Sequence, residues 1–248
     1  SVAANANFPD TRWSLILRAV DQGGPTNPDS SALDELCRLY WYPIYAFIRA
    51  SGHSPENAAD HTQDFFHGIL TKDAMKNLDP DRGRFRAFLR TSVRNHLLSA
   101  HRIARTQKRG GTIHHVSIDH AESERKFADE PLERITPELL FDRACALELI
   151  GLALAQLEFE YRRSGRHRTF EAFQPFLSKA PAAGSYERIC ATLNISRETA
   201  RTQLHRLRKR FYRTFADEVS QTLADPQQLE DEMKYLLDAL GRCGVMSL

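Results

Sequence analysis

The side chains best placed to do chemistry sit near the end of the chain, within Tyr186–Phe211. Arg197, Arg201, Arg206, Arg208, Lys209 and Arg210 crowd one helical stretch that holds a single acid, Glu198. Cations on a helix neutralise phosphates. A helix N-terminus carrying Arg, Thr and Gln can also hydrogen-bond base edges in a DNA major groove. Ser196, Arg197, Thr199, Arg201, Thr202, Gln203, His205 and Arg206 are the residues expected at such a contact. A second set lies in Gly83–Arg102. There Arg86, Arg90 and Arg94 recur every fourth residue, His101 and Arg102 extend the stripe, and Asn95 can bond a base edge. A stripe of this kind tracks a phosphate backbone, although alone it could equally be a solubilising surface. A third set is acidic: Asp60 and Asp64 lie one turn apart, with Gln63 between them. Paired carboxylates can act as acid and base or hold a metal. Here neither a metal-ligand histidine pattern nor a glycine-rich phosphate loop accompanies them, and His61 and His67 fall on different faces. A docking surface for a basic partner is the more economical reading.

These sets need helices to position them. Almost every periodic segment has helical spacing, and none shows convincing strand alternation. Around the most basic stretch, Asn194 stands where a tight turn needs a left-handed backbone. Ser196 suits the N-cap of the helix that follows. Ile189, Leu193, Ile195, Ala200, Leu204 and Leu207 can share an apolar seam, giving a helix-turn-helix. In the stripe helix, Phe85, Leu89, Ser92, His96 and Ala100 form the packed side. The acidic helix opens at Ser54-Pro55, with Ser54 as cap. Asp10 can cap an early helix, and Gly23–Pro28 reads as a loop. Leu33 to about Ala50 is an aromatic helix, and Asp79–Gly83 is a turn. A long helix opens at Thr136-Pro137, a shorter one holds Phe170 and Phe173, and Asp225-Pro226 opens a last one ending at Gly241.

The expected fold is all-α: two helical domains joined by a flexible linker. The boundaries are 8–105 for the first domain, 106–135 for the linker, 136–224 for the second domain and 225–248 for a helical extension. The chain has 248 residues and a formal net charge of only +2, so any nucleic-acid surface must be local. Cys37, Cys145, Cys190 and Cys243 are scattered without a CxxC pair, which argues against zinc or disulfide frameworks. No apolar run approaches a membrane span, so a cytoplasmic protein without metal or cofactor is expected.

The three motifs, in this order, resemble the sigma factors of bacterial RNA polymerase, in particular the compact extracytoplasmic-function (ECF) group. Ala59-Asp60-His61-Thr62-Gln63-Asp64-Phe65-Phe66 is similar to that family's clamp-binding helix. Phe85-Arg86-Ala87-Phe88-Leu89 with Arg94-Asn95 is similar to its minus-10 helix, and Tyr186–Phe211 to its minus-35-reading domain. The resemblance covers roughly 8–105 and 136–215. It implies a non-enzymatic initiation factor whose partners are promoter DNA and core RNA polymerase, through the clamp of the largest subunit and the flap of the second largest. On that resemblance Asp60, Gln63 and Asp64 dock on core. Arg86, Arg90, Arg94, Asn95, His101 and Arg102 hold the minus-10 element.

Cys190, Asn194 and Phe88 depart from the family's usual Ala, Gly and Trp. The Phe8–Trp13 opening, the expanded Leu154–Leu177 region and the final helix resemble a subgroup associated with Ser/Thr protein kinases. Ala59 stands where Glu is common, and Thr62 lies inside the motif. A phosphate on Thr62 would supply the missing charge; the alternative is a helical Thr whose hydroxyl bonds back to the preceding turn. The competing reading of the whole chain is a helix-turn-helix regulator that acts without polymerase. An enzyme built on Asp60 and Asp64 lacks a nucleophile–base set.

Overall fold

The computed structural model describes residues 30–69, 84–106, 120–130, 135–178, 181–182 and 184–241. The expected Asp10 helix, the Gly23–Pro28 loop and the Asp79–Gly83 turn lie outside them. Among the described residues the regular structure is entirely helical, as the sequence periodicity predicts. In chain order the α-helices are α1 (Ser30–Ala50), α2 (Pro55–Ile69), α3 (Phe85–Thr106), α4 (His120–Ala128), α5 (Pro137–Arg163), α6 (His167–Phe173), α7 (Ser185–Leu193), α8 (Arg197–Ser220) and α9 (Leu229–Gly241).

The described residues divide into two compact units. One lies within Ser1–Cys145 and Gln221–Gln228, the other within Ala146–Ser220 and Leu229–Leu248. The boundary therefore falls inside α5, not at the expected 135/136 junction.

In the first unit α1 is the central helix. Leu39 through Ile48 are all buried, so burial holds the helix together although Pro43 inside it withdraws a backbone donor. Ser51-Gly52 ends it as expected: the Ser51 N–H donates to the Phe47 carbonyl at 3.0 Å, and Gly52 takes φ 95°. Ser54 caps α2, accepting the Asn57 N–H at 3.3 Å. Trp41 stacks on Phe66 with centroids 5.8 Å apart, and Tyr40 meets Phe85 edge-on at 5.4 Å. These contacts lock α2 and α3 to α1.

The expected linker contains a helix. Within 106–135, α4 packs on α1 and buries Phe127 and Ser123. Two carboxylates fasten it. Glu124 accepts from Arg49 Nε at 2.9 Å and Nη2 at 2.8 Å, and also from the Tyr45 hydroxyl. Glu130 accepts from Tyr42 at 3.0 Å and pairs with Arg143. The composition of 106–135 is mixed and polar, which reads as linker. Its few anchors bind partners more than 70 residues away, for which local periodicity carries no signal.

In the second unit the rest of α5 contributes Leu149, Ala153 and Leu157 to a core shared with Phe170 and Phe173 of α6. Leu204, Leu207 and Phe215 of α8 are buried as well. Met233, Leu236 and Leu240 form the buried face of α9, which packs on α8.

Candidate nucleic-acid and polymerase interfaces

The turn between α7 and α8 is built as its residue types require. Asn194 sits at φ 52°, ψ 51°, the one non-glycine residue with positive φ among the described residues. Its short polar side chain makes it among the L-residues most tolerant of that region. The Asn194 and Ile195 N–H groups both donate to the Cys190 carbonyl, closing the end of α7. Ser196 Oγ accepts the Thr199 N–H at 3.1 Å and so caps α8. Ile189, Ala200, Leu204 and Leu207 are buried, forming the expected seam, while Leu193 and Ile195 are half-buried at its edge.

The opposite side of α8 is available. Ser196, Arg197, Thr199, Arg201, Thr202, His205 and Arg206 are exposed, and Gln203 is half-buried. Arg197 and Arg201 hold their guanidinium carbons 5.9 and 5.8 Å from the Tyr186 ring centroid. Stacking of this kind limits the rotamers of two flexible cations before any ligand arrives. The C-terminal part of the basic run behaves differently. Arg208 donates from Nε and Nη2 to the Phe176 carbonyl at 3.0 and 2.7 Å, and Arg210 pairs with Glu160 of α5. The available positive charge is thus concentrated in the first half of α8, where the helix dipole also favours an anion.

The stripe on α3 is split by burial. Arg86 is 5% exposed and pairs with Asp142, whose side chain is 1% exposed; Arg90 pairs with the same carboxylate. Arg86 is therefore a core residue and not part of an outward stripe. A guanidinium can be buried only beside a counter-charge, and α5 supplies one. Arg94, Asn95 and His101 are exposed, as expected. The Arg102 side chain lies outside the described ones.

Arg94 and His101 also line a cavity of about 550 Å³ with His53 and His61. The His53 and His61 rings lie 4.9 Å apart, and His61 and His96 5.9 Å. Burial, reinforced by His61 and His101, pushes the His53 pKa down; burial and His61 do the same for His96, against a smaller opposing pull from Asp64. Sequence reading missed His53, His61 and Asp142. They come from separate elements, and no spacing links them to the α3 stripe.

On α2, Asp60 and Asp64 are exposed one turn apart, a pair of carboxylates facing solvent. Gln63 is buried, so it belongs to the packed side and not to the docking face. Thr62 is completely buried, and its hydroxyl donates to the Ala58 carbonyl at 2.7 Å.

Residues 39–107 match the family model of sigma-70 region 2. The match runs from α1 through α3 and includes both the acidic helix and the Arg94–His101 face. It supports a sigma-70 family factor acting in promoter recognition and melting, with core polymerase and promoter DNA as partners. Region 2 serves initiation factors, not enzymes. No curated protein and no solved structure matches the chain. Among the described residues, no group of three or more His, Cys, Asp or Glu is placed to hold a metal ion. No described helix is long and apolar enough to cross a membrane.

Proposed function

We propose that the chain is an ECF-type sigma factor that binds core polymerase and directs initiation at promoters with minus-35 and minus-10 elements. One observation carries the reading: a sigma-70 region 2 match on α1–α3 shares the chain with a capped helix-turn-helix whose exposed face is basic. Asp60 and Asp64 form the core-docking pair. Ser196, Arg197, Thr199, Arg201, Thr202, Gln203, His205 and Arg206 meet the minus-35 element in the major groove. Arg94, Asn95 and His101, with Arg102, hold the minus-10 strand; Arg86 and Arg90 support that helix from inside through Asp142. Melting costs a few kcal/mol for a flipped base, which backbone contacts offset.

Kinase regulation belongs to the same reading through the long α5, α6 and α9, features of the kinase-associated subgroup. Thr62 sets a physical condition on it. A kinase reaches that hydroxyl only if α2 opens, because the side chain is fully enclosed and already bonded to Ala58. The geometry favours a packing role for Thr62.

The test is run-off transcription with purified core polymerase on promoters recovered by selection. Initiation should depend on the protein. It should fall to background when Arg197, Arg201 and Arg206 are all changed to Glu, and core binding should weaken with Asp60→Ala and Asp64→Ala together. Duplex binding without core association would establish the regulator reading instead. A Thr62→Glu protein that binds core more tightly than Thr62→Ala would establish the phosphate switch.

A further inference from the structure

The second unit holds a cavity of about 300 Å³ between α5, α8 and α9. Ile150, Leu177, Phe211, Phe215 and Leu237 form its apolar walls. Phe211 and Phe215 stack nearly parallel at 6.3 Å and 9°, giving one side a flat aromatic surface. Three basic side chains, His205, Arg208 and Lys209, also line it, and none of its lining residues is acidic. Tyr212, 55% exposed, joins the lining at the solvent side.

Packing defects in native interiors are few and small. A void of this size lies at the lower end of the range for small-molecule sites, about 300–1,000 Å³. Its division of labour is specific. The body of an occupant meets hydrocarbon and aromatic rings, and its head meets cations. Arg208 is preset for that role: two of its N–H groups are committed to the neutral Phe176 carbonyl, which fixes the guanidinium without cancelling its charge. Nucleotides fit poorly, since their base edges want amide or hydroxyl partners that five apolar walls do not offer.

We infer that this cavity binds a small amphipathic carboxylate, one with a short alkyl or single-ring body, its head held by His205, Arg208 and Lys209. The assignment makes no use of the sigma reading, and its test contains neither DNA nor polymerase.

The probe is octanoate below its micelle concentration, titrated calorimetrically into the full chain, with octanol as an uncharged control. Saturable one-site binding of octanoate is expected, with octanol weaker by about tenfold or more, the size of one strong charge-assisted contact. Lys209→Glu, an exposed change that leaves the walls intact, should weaken octanoate by at least as much without affecting octanol. Leu237→Trp should fill the cavity and abolish binding of both. No saturable binding at millimolar octanoate overturns the proposal. So does equal binding of octanol and octanoate with Lys209→Glu unaffected, since that describes an apolar void without a head-group site.

Discussion

At the scale of single residues, the fate of each charge is set by what it meets in the fold. Arg86 and Arg94 occupy equivalent positions in a four-residue repeat, yet one is buried against Asp142 and the other faces solvent. Removing one partner of a buried pair leaves an uncompensated charge and costs about 3–5 kcal/mol. Asp142→Ala should therefore lower the unfolding free energy of the first unit by about that amount, read from urea denaturation. Replacing Arg86 and Asp142 together by Met and Leu should recover most of the loss. Titration follows the same logic. Hydrogen bonds from Arg49 hold the Glu124 carboxyl below its ordinary 4.5, so the unfolded chain takes up that proton first. The stabilisation it gives is present above pH 4.5 and is lost as pH falls through the lower folded value. Burial holds the His96 pKa below 6.5, which again makes the unfolded state the better proton acceptor. Stability from this source is complete above pH 6.5 and declines on acidification. The melting temperature of His96→Phe should accordingly depend less on pH between neutrality and about 5, and Glu124→Gln should remove part of the loss below 4.5. The types of these residues are plain in the sequence; their partners, Arg49 with Glu124 or His61 with His96, are not.

At the scale of elements, the helix-turn-helix was the most legible feature, because its determinants are local. Asn194 supplies the left-handed turn, Ser196 the cap, and the apolar spacing the seam. Each can be tested separately. Asn194→Gly should be neutral or stabilising. Asn194→Ala should cost about 1 kcal/mol, as a Cβ without a compensating polar group is disfavoured at positive φ. Ser196→Ala should cost about 1 kcal/mol by leaving the Thr199 N–H without its cap. Thermal unfolding of the second unit measures all three. The α4 helix shows the opposite case. Its nine residues have too short an apolar pattern to declare a helix, and it owes its stability to packing on α1. Gln63 and Thr62 were misjudged for a related reason: their polarity suggested a surface, while the position of α2 against its neighbours turned them inward.

At the scale of the whole molecule, the two units carry different parts of the proposed activity, and the final helix belongs to the second. Met233, Leu236 and Leu240 are buried on the face of α9 that packs against α8, each worth about 1.5–3 kcal/mol. Ending the chain at Ala224 removes all of them. Differential scanning calorimetry should then show the transition of the second unit shifted far down or lost. The near-ultraviolet signal of Trp41 in the first unit should persist to its original temperature. A second unit that melts unchanged without α9 would make that helix an appendage, and not part of the core.

The sequence by itself determined the helical class, the limits of most helices, the turn and cap of the helix-turn-helix, and the exposed basic start of α8. All of these depend on contacts within a few residues, where spacing and residue type carry the information. Tertiary structure alone decided that Arg86 is buried, that 120–128 is a helix, and that Cys145 and Ala146 belong to different units. It also brought His53 and His61 to the cavity beside Arg94. Asp142 reaches Arg86 across 56 residues. No local period encodes such a meeting; it follows from the helices packing their apolar faces first and leaving each charge to find water or a partner.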